Sequence, residues 1–153
     1  MRIRDMTIDD LPEVARLYRQ FWNEPSSIDR MRAQFPLLQK QGTHLLLCAA
    51  EGDRLLGTVM GVVCAELYGD CRPFLVVENM VVDAGSRKQG VGTALLGELE
   101  RRAEQKNCTQ MILVTETDRT DACAFYESAG FHPTANRGYK KRVQAGFDSG
   151  GTP

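Results

Sequence analysis

The stretch from Val81 to Ala94, Val-Val-Asp-Ala-Gly-Ser-Arg-Lys-Gln-Gly-Val-Gly-Thr-Ala, carries the most legible chemistry in the chain. A hydrophobic run ends at Val82, a polar turn follows, and a helical pattern starts at once. The first turn of a helix has N–H groups without intrahelical partners and a partial positive charge, so it binds phosphate. Gly90 and Gly92 let the backbone approach a diphosphate with no Cβ in the way. Arg87 and Lys88 add cations beside Gln89 and Val91, and Thr93 offers a hydroxyl. Two other phosphate loops are excluded. A Walker loop needs a lysine directly after its last glycine, and none follows Gly92. The dinucleotide fingerprint needs a third small residue where Leu95 stands, and no repeated βαβ pattern follows.

Other chemistries find less support. The five cysteines (Cys48, Cys64, Cys71, Cys108, Cys123) are an odd number with no CxxC pair, and His44 and His132 complete no zinc spacing. They read as reduced thiols of a cytoplasmic protein, several of them core residues, and no metal site is expected. A net charge of -1 gives no reason to expect nucleic acid or an anionic membrane as partner. Met1–Asp10 is charged throughout and lacks the apolar stretch of a secretory signal. The longest apolar runs, Leu45–Ala50 and Val59–Ala65, are too short to span a bilayer.

The elements that must position the glycine turn follow from periodicity. Arg2–Arg4 reads as a short strand, and Leu11, Val14, Ala15, Tyr18, Phe21 and Trp22 share a helical face that makes Trp22 a core residue. Thr7 is placed to cap that helix, with Pro12 in its first turn. A second helix spans Ile28–Gln39, interrupted by Pro36. Leu45–Ala50 and Leu55–Tyr68 form a hairpin around Glu51-Gly52-Asp53-Arg54, and Phe74–Val82 extends the meander. Val91, Ala94, Leu95, Leu99 and Ala103 give a helix ending at Asn107; Gln110–Glu116 is a strand and Asp121–Ala129 a helix closed by Gly130. Phe131–Val143 adds one or two short strands, and Gln144–Pro153 is a flexible tail. The crossover helix makes Phe74–Val82 and Gln110–Glu116 parallel in an otherwise antiparallel sheet. The expected fold is α/β, a mixed, mostly antiparallel sheet flanked by helices, in a single domain over residues 1–143.

Arg87-Lys88-Gln89-Gly90-Val91-Gly92 resembles the diphosphate-binding signature of the GNAT acetyltransferases, Gln/Arg-x-x-Gly-x-Gly/Ala. Ala122-Cys123-Ala124-Phe125-Tyr126-Glu127-Ser128-Ala129-Gly130-Phe131 resembles that family's second motif, and Val77–Asp83 its preceding strand. The resemblance covers about Arg2 to Val143 and implies acetyl-CoA as co-substrate. It also implies that the two parallel strands splay, with pantetheine lying along Met80, Val81 and Val82.

Acetyl transfer needs a neutral amine, a donor to the thioester oxygen and a proton for the leaving thiolate. The resemblance points to Glu78 for the first, as base or as anchor of the substrate ammonium. The N–H of Met80 or Val82 suits the second, and Tyr126 the third. Where the family often has asparagine, seven residues before this tyrosine, the chain has Arg119, which either meets a CoA phosphate or stays solvated. Acceptor recognition is expected from Phe21–Gln39, Tyr68–Phe74 and Ala135–Tyr139, whose acidic and aromatic groups suit a small cationic amine. A protein or peptide acetyltransferase and a non-catalytic acyl-CoA-binding module are the alternatives. A homodimer is the expected assembly on general grounds.

Overall fold

The computed structural model describes residues 1–133 and 138–141. These fall in two compact units, Met1–Leu113 and Val114–Pro153. The first contains β1 (Arg2–Asp5), α1 (Leu11–Trp22), α2 (Ile28–Gln41), β2 (His44–Glu51), β3 (Arg54–Cys64), β4 (Phe74–Val82), α3 (Val91–Gln105) and β5 (Met111–Ile112). The second contains α4 (Thr120–Ser128). The strands lie in the order β1-β2-β3-β4-β5, antiparallel through β4, with β5 parallel to β4. This is the expected mixed α/β architecture.

Local chemistry explains most boundaries. The Asp10 carboxylate accepts bonds from the Thr7 N–H (2.7 Å) and hydroxyl (2.9 Å), so Thr7 opens a 3-10 turn over Ile8–Asp10 that leads into α1. Pro12 falls in the first turn of α1, where its missing N–H costs nothing. Ser27 caps α2, and Gly42, at φ 68, ends it. The helix runs through Pro36, against the sequence expectation. Pro36 is exposed, and on the solvent side of a helix a carbonyl left without its N–H partner can bond to water. Gly52 takes φ 57 at the first central position of the β2–β3 turn, as a two-residue hairpin loop requires.

Two cores flank the sheet of the first unit. On one face Leu11, Val14 and Leu17 of α1 and Phe35 of α2 pack with Met6, Cys48, Ala50, Leu55 and Val81. On the other face α3 lies close against β3 because residues 57 and 61 are glycines. A Cβ at Gly57 would sit 2.9 Å from the Val81 carbonyl oxygen, and one at Gly61 would sit 2.7 Å from Leu99 Cδ1.

Four expectations change. Trp22 is 45% exposed; Leu17, fully buried, takes the core position instead. Residues Ala65 to Tyr68 lie beyond the end of β3, where Leu67 and Tyr68 are exposed and Gly69 and Cys71 reverse the chain with positive φ. Of the predicted strand Gln110–Glu116, Met111 and Ile112 pair with β4. Among the described residues of Phe131–Val143 no strand forms, and residues 134–137, 142–143 and the tail 144–153 lie outside the described residues. Of the cysteines, Cys48 alone is fully buried.

Candidate active site

β4 carries the first part of the site. Met60 pairs with Glu78 and Thr58 with Val81, so Asn79 and Met80 together stand opposite Val59 in a β-bulge. Asn79 takes φ 51, the left-handed conformation that a bulge of this kind imposes and that asparagine tolerates better than most residues. The bulge reverses the strand's alternation. The Leu75 N–H bonds to the Gln110 carbonyl on the β5 side, whereas the Asp83 N–H bonds to the Leu56 carbonyl on the β3 side. Residues 75 and 83 share parity, so an unbroken strand would turn both N–H groups to one edge. Counting back from Asp83, the N–H groups of Val82 and Met80 face away from β3. The parallel ladder ends at Val76 and Ile112, so β4 from Val77 onward has no ladder to β5.

The same register settles which way Glu78 points. Leu46, Met60 and Glu78 stand abreast across β2, β3 and β4, as do Cys48, Thr58 and Val81. Leu46, Cys48 and Val81 pack against α1 and α2. Glu78 therefore lies on the α1–α2 face, with an exposed carboxylate. Leu75, on the α3 face, meets Leu99 at Gly61.

The glycine turn forms the second part. Ala84–Ser86 is a 3-10 turn, Lys88 and Gly90 take φ 59 and 80, and α3 begins at Val91 without a side-chain cap. The first intrahelical bond runs from the Ala94 N–H to the Gly90 carbonyl. The N–H groups of Val91, Gly92 and Thr93 precede it and lack helical partners. Arg87, Lys88 and Gln89 are exposed, and Gln89 donates to the Gly85 carbonyl at 3.0 Å. An uncapped helix start behind a left-handed glycine is a fitting seat for a diphosphate.

One residue that anchors this turn escaped the sequence reading. Asp83 is 1% exposed, and its carboxylate accepts bonds from Arg16 Nη1 (2.7 Å), Gln20 Nε2 (3.2 Å), Arg54 Nη2 (3.0 Å) and the Gly85 N–H (3.2 Å). The Arg16 guanidinium above all, opposing the cost of burial, holds the Asp83 carboxyl below the usual carboxylate range. Gln20 also accepts from the Ala84 N–H at 3.3 Å.

The second unit holds the remaining predicted residues. Tyr126 is half-buried on α4, its ring 5.2 Å from Phe125 and 5.9 Å from Phe131. Burial pushes its phenol up, and the nearby charge of Arg119 opposes that rise. Arg119 is half-buried rather than simply solvated. Gly130 takes φ 90 just after α4, as expected of its terminator. Glu78, the Met80–Val82 edge and the glycine turn thus share the first unit, and Arg119 and Tyr126 share the second. Among the acceptor residues, Tyr68 and Tyr139 are exposed, and residues 135–137 lie outside the described part.

Comparison with known proteins bears on the fold and the family. The glucosamine 6-phosphate N-acetyltransferase 1 of rice is 27% identical over 95% of this chain and 86% of its own length. A Bacillus subtilis protein, YdhI, is 32% identical over 76 residues, 49% of this chain and 44% of that protein. The chain thus spans less than half the length of that relative. The solved structure of glucosamine-6-phosphate N-acetyltransferase from Arabidopsis thaliana superposes with a TM-score of 0.80 at 19% identity, covering 94% of this chain and 97% of that one. An aminoglycoside 6'-N-acetyltransferase from Acinetobacter haemolyticus gives 0.74 at 21% identity, covering 95% and 100%. At these identities the superpositions speak for the fold. The sequence model of the acetyltransferase (GNAT) family matches residues 11–131, from the start of α1 past the end of α4, and the chain belongs to that family.

Proposed function

We propose that residues 1–143 act as one catalytic domain that transfers the acetyl group of acetyl-CoA directly to a primary amine of a small molecule. The bulge at Asn79-Met80 carries this reading. It leaves two N–H groups on an unpaired strand edge and puts a carboxylate on the face beneath α1 and α2. Acetyl-CoA, when bound, supplies an activated thioester. Val91, Gly92 and Thr93 hold its diphosphate through their N–H groups, with Arg87 and Lys88 beside them, and the Met80–Val82 edge pairs with the amides of its pantetheine arm.

Each chemical demand then has a residue. Glu78 takes the proton of an ammonium group whose free pKa is near ~10.4, directly or through a water. The Met80 N–H, next to the bulge, donates to the thioester oxygen as charge develops. Tyr126 returns a proton to the leaving thiolate, whose solution pKa is about 8.5. A phenol, with an ordinary pKa near ~10, is protonated at neutral pH, and burial pushes that of Tyr126 further up. The acidic and aromatic residues around α1 and α2, Glu24 and Asp29 among them, favour a cationic acceptor. That a relative of matching length is named for an amino sugar phosphate points the same way. We also propose a cytoplasmic location and a homodimer.

The test is release of CoA thiol with a panel of amino sugars, aminoglycosides and peptides bearing a free terminus or lysine. Turnover should be highest with an amino sugar or related small amine. Glu78→Gln should lower kcat/KM at neutral pH by about 10²-fold or more, and Tyr126→Phe should lower kcat while acetyl-CoA affinity stays. Preference for the peptides would make it a protein acetyltransferase. Acetyl-CoA binding with no turnover on any amine would reduce it to a binding module.

A further inference from the structure

Asp83 is the one buried carboxylate of the first unit, 1% exposed, and the reaction has no chemical use for it. It receives four hydrogen bonds, from donors on α1 (Arg16, Gln20), at the start of β3 (Arg54) and in the turn itself (Gly85). Its own N–H bonds to the Leu56 carbonyl, and its carbonyl receives the Ser86 N–H. Every polar group of the residue is therefore spent on fixing where β4 stops and where the turn begins. Gln20 extends the tie, taking the Ala84 N–H while donating to Asp83.

A buried anion beside a diphosphate seat should weaken it by simple repulsion. The surroundings remove that objection. Glu13 accepts two bonds from Arg16 at 2.9 Å, and Arg54 reaches Asp83 at 3.0 Å, so two carboxylates and two guanidiniums form a locally neutral set. The field felt by an anion at the turn is left to Arg87, Lys88 and the start of α3. The bonds to Ala84 and Gly85 also occupy those two N–H groups, so the turn offers an anion the later ones, at Val91–Thr93.

We infer that Asp83 is a positioning residue for the diphosphate of the acyl donor, holding the turn between β4 and α3 in its binding shape by tying it to α1 and β3. This rests on the acetyl-CoA reading above and adds that the shape of the turn depends on α1, the helix on the acceptor side of the sheet.

Asp83→Asn is the decisive variant because geometry and charge predict opposite signs. An asparagine has one acceptor oxygen in place of two, so its amide group faces two of the four donors. The turn then loses its hold. By charge alone the variant is one unit more positive, which should tighten anion binding. The measurement is the dissociation constant of acetyl-CoA and of S-acetylpantetheine, which lacks the diphosphate, by NMR titration of parent and variant, with circular dichroism showing both folded. Asp83→Asn should weaken acetyl-CoA by about tenfold to a hundredfold, the range for bonds to a charged group, and leave S-acetylpantetheine unchanged. Equal weakening of both ligands, no change, or tighter acetyl-CoA binding overturns the inference. Gln20→Ala, at an exposed position, should show the same selectivity at smaller size, and it decides the matter if Asp83→Asn does not fold. A parent protein that binds neither ligand, or both equally, refutes the acetyl-CoA reading itself.

Discussion

Asn79 holds a backbone conformation that costs most L-residues about 1–2 kcal/mol, and it does so in the middle of a strand. The bulge it forms turns the N–H groups of Met80 and Val82 to the unpaired edge while Glu78 stays on the α1–α2 face. Asn79→Gly should therefore preserve both fold and acetyl transfer. Asn79→Val should lose stability by about 1–2 kcal/mol, and by a larger factor lose activity, because a β-branched residue pulls the strand towards a regular ladder. Urea unfolding and CoA release measure the two effects, and equal activity of the two variants would contradict the role given to the bulge. At this scale the sequence was readable where chemistry is local. Gly90 and Gly92 announce the turn because their neighbours in sequence are their neighbours in space. Asn79 inside Val77–Val82 reads only as a weak strand former. The partners of Asp83 on α1 and β3 lie 67, 63 and 29 residues away in sequence, beyond any motif.

Among the elements, the turn into α1 stores a pH dependence. Arg4 meets the Asp10 carboxylate with two bonds, at 2.6 and 2.8 Å, and this, helped by Thr7 and opposed by burial, lowers Asp10 to about 2. A carboxyl lowered on folding stabilises the fold above its unfolded value and loses that contribution as pH falls through the folded one. Asp10→Asn should therefore cost about 2 kcal/mol near neutral pH, a difference that shrinks between about pH 4 and pH 2. A cost that stays constant over this range, in urea titrations at each pH, would remove the ion pair as its cause. The hairpin, β4, α3 and α4 were legible because apolar periodicity and turn residues agree there. Where they fell short, tertiary context decided. Pro36 is tolerated inside α2 on its solvent side, and Trp22 leaves the core because Leu17 fills the face of α1 against the sheet. Ladder pairing of β5 stops at Ile112, although the β-forming run continues to Thr115.

For the whole molecule, the family follows from two short motifs and the sheet order, and the proposed seat of the acyl donor from the first of those motifs, while the proposed acceptor residues lie in loops that carry no fixed spacing. No helix among the described residues is long and apolar enough to cross a membrane. Binding of acetyl-CoA at Arg87–Thr93, proposed above, shows itself in thermal unfolding with and without saturating acetyl-CoA. Ligand at a hundred times its dissociation constant adds about 2.7 kcal/mol, which for a chain of this size raises Tm by about 5–10 °C. Gly90→Glu puts a carboxylate and an unfavourable left-handed residue at the start of α3, where φ is 80, so its own Tm should not respond. A rise in the parent that the variant lacks is the predicted result. A folded parent whose Tm ignores acetyl-CoA, or a variant that responds as fully as the parent, would mean that acetyl-CoA does not bind at this turn.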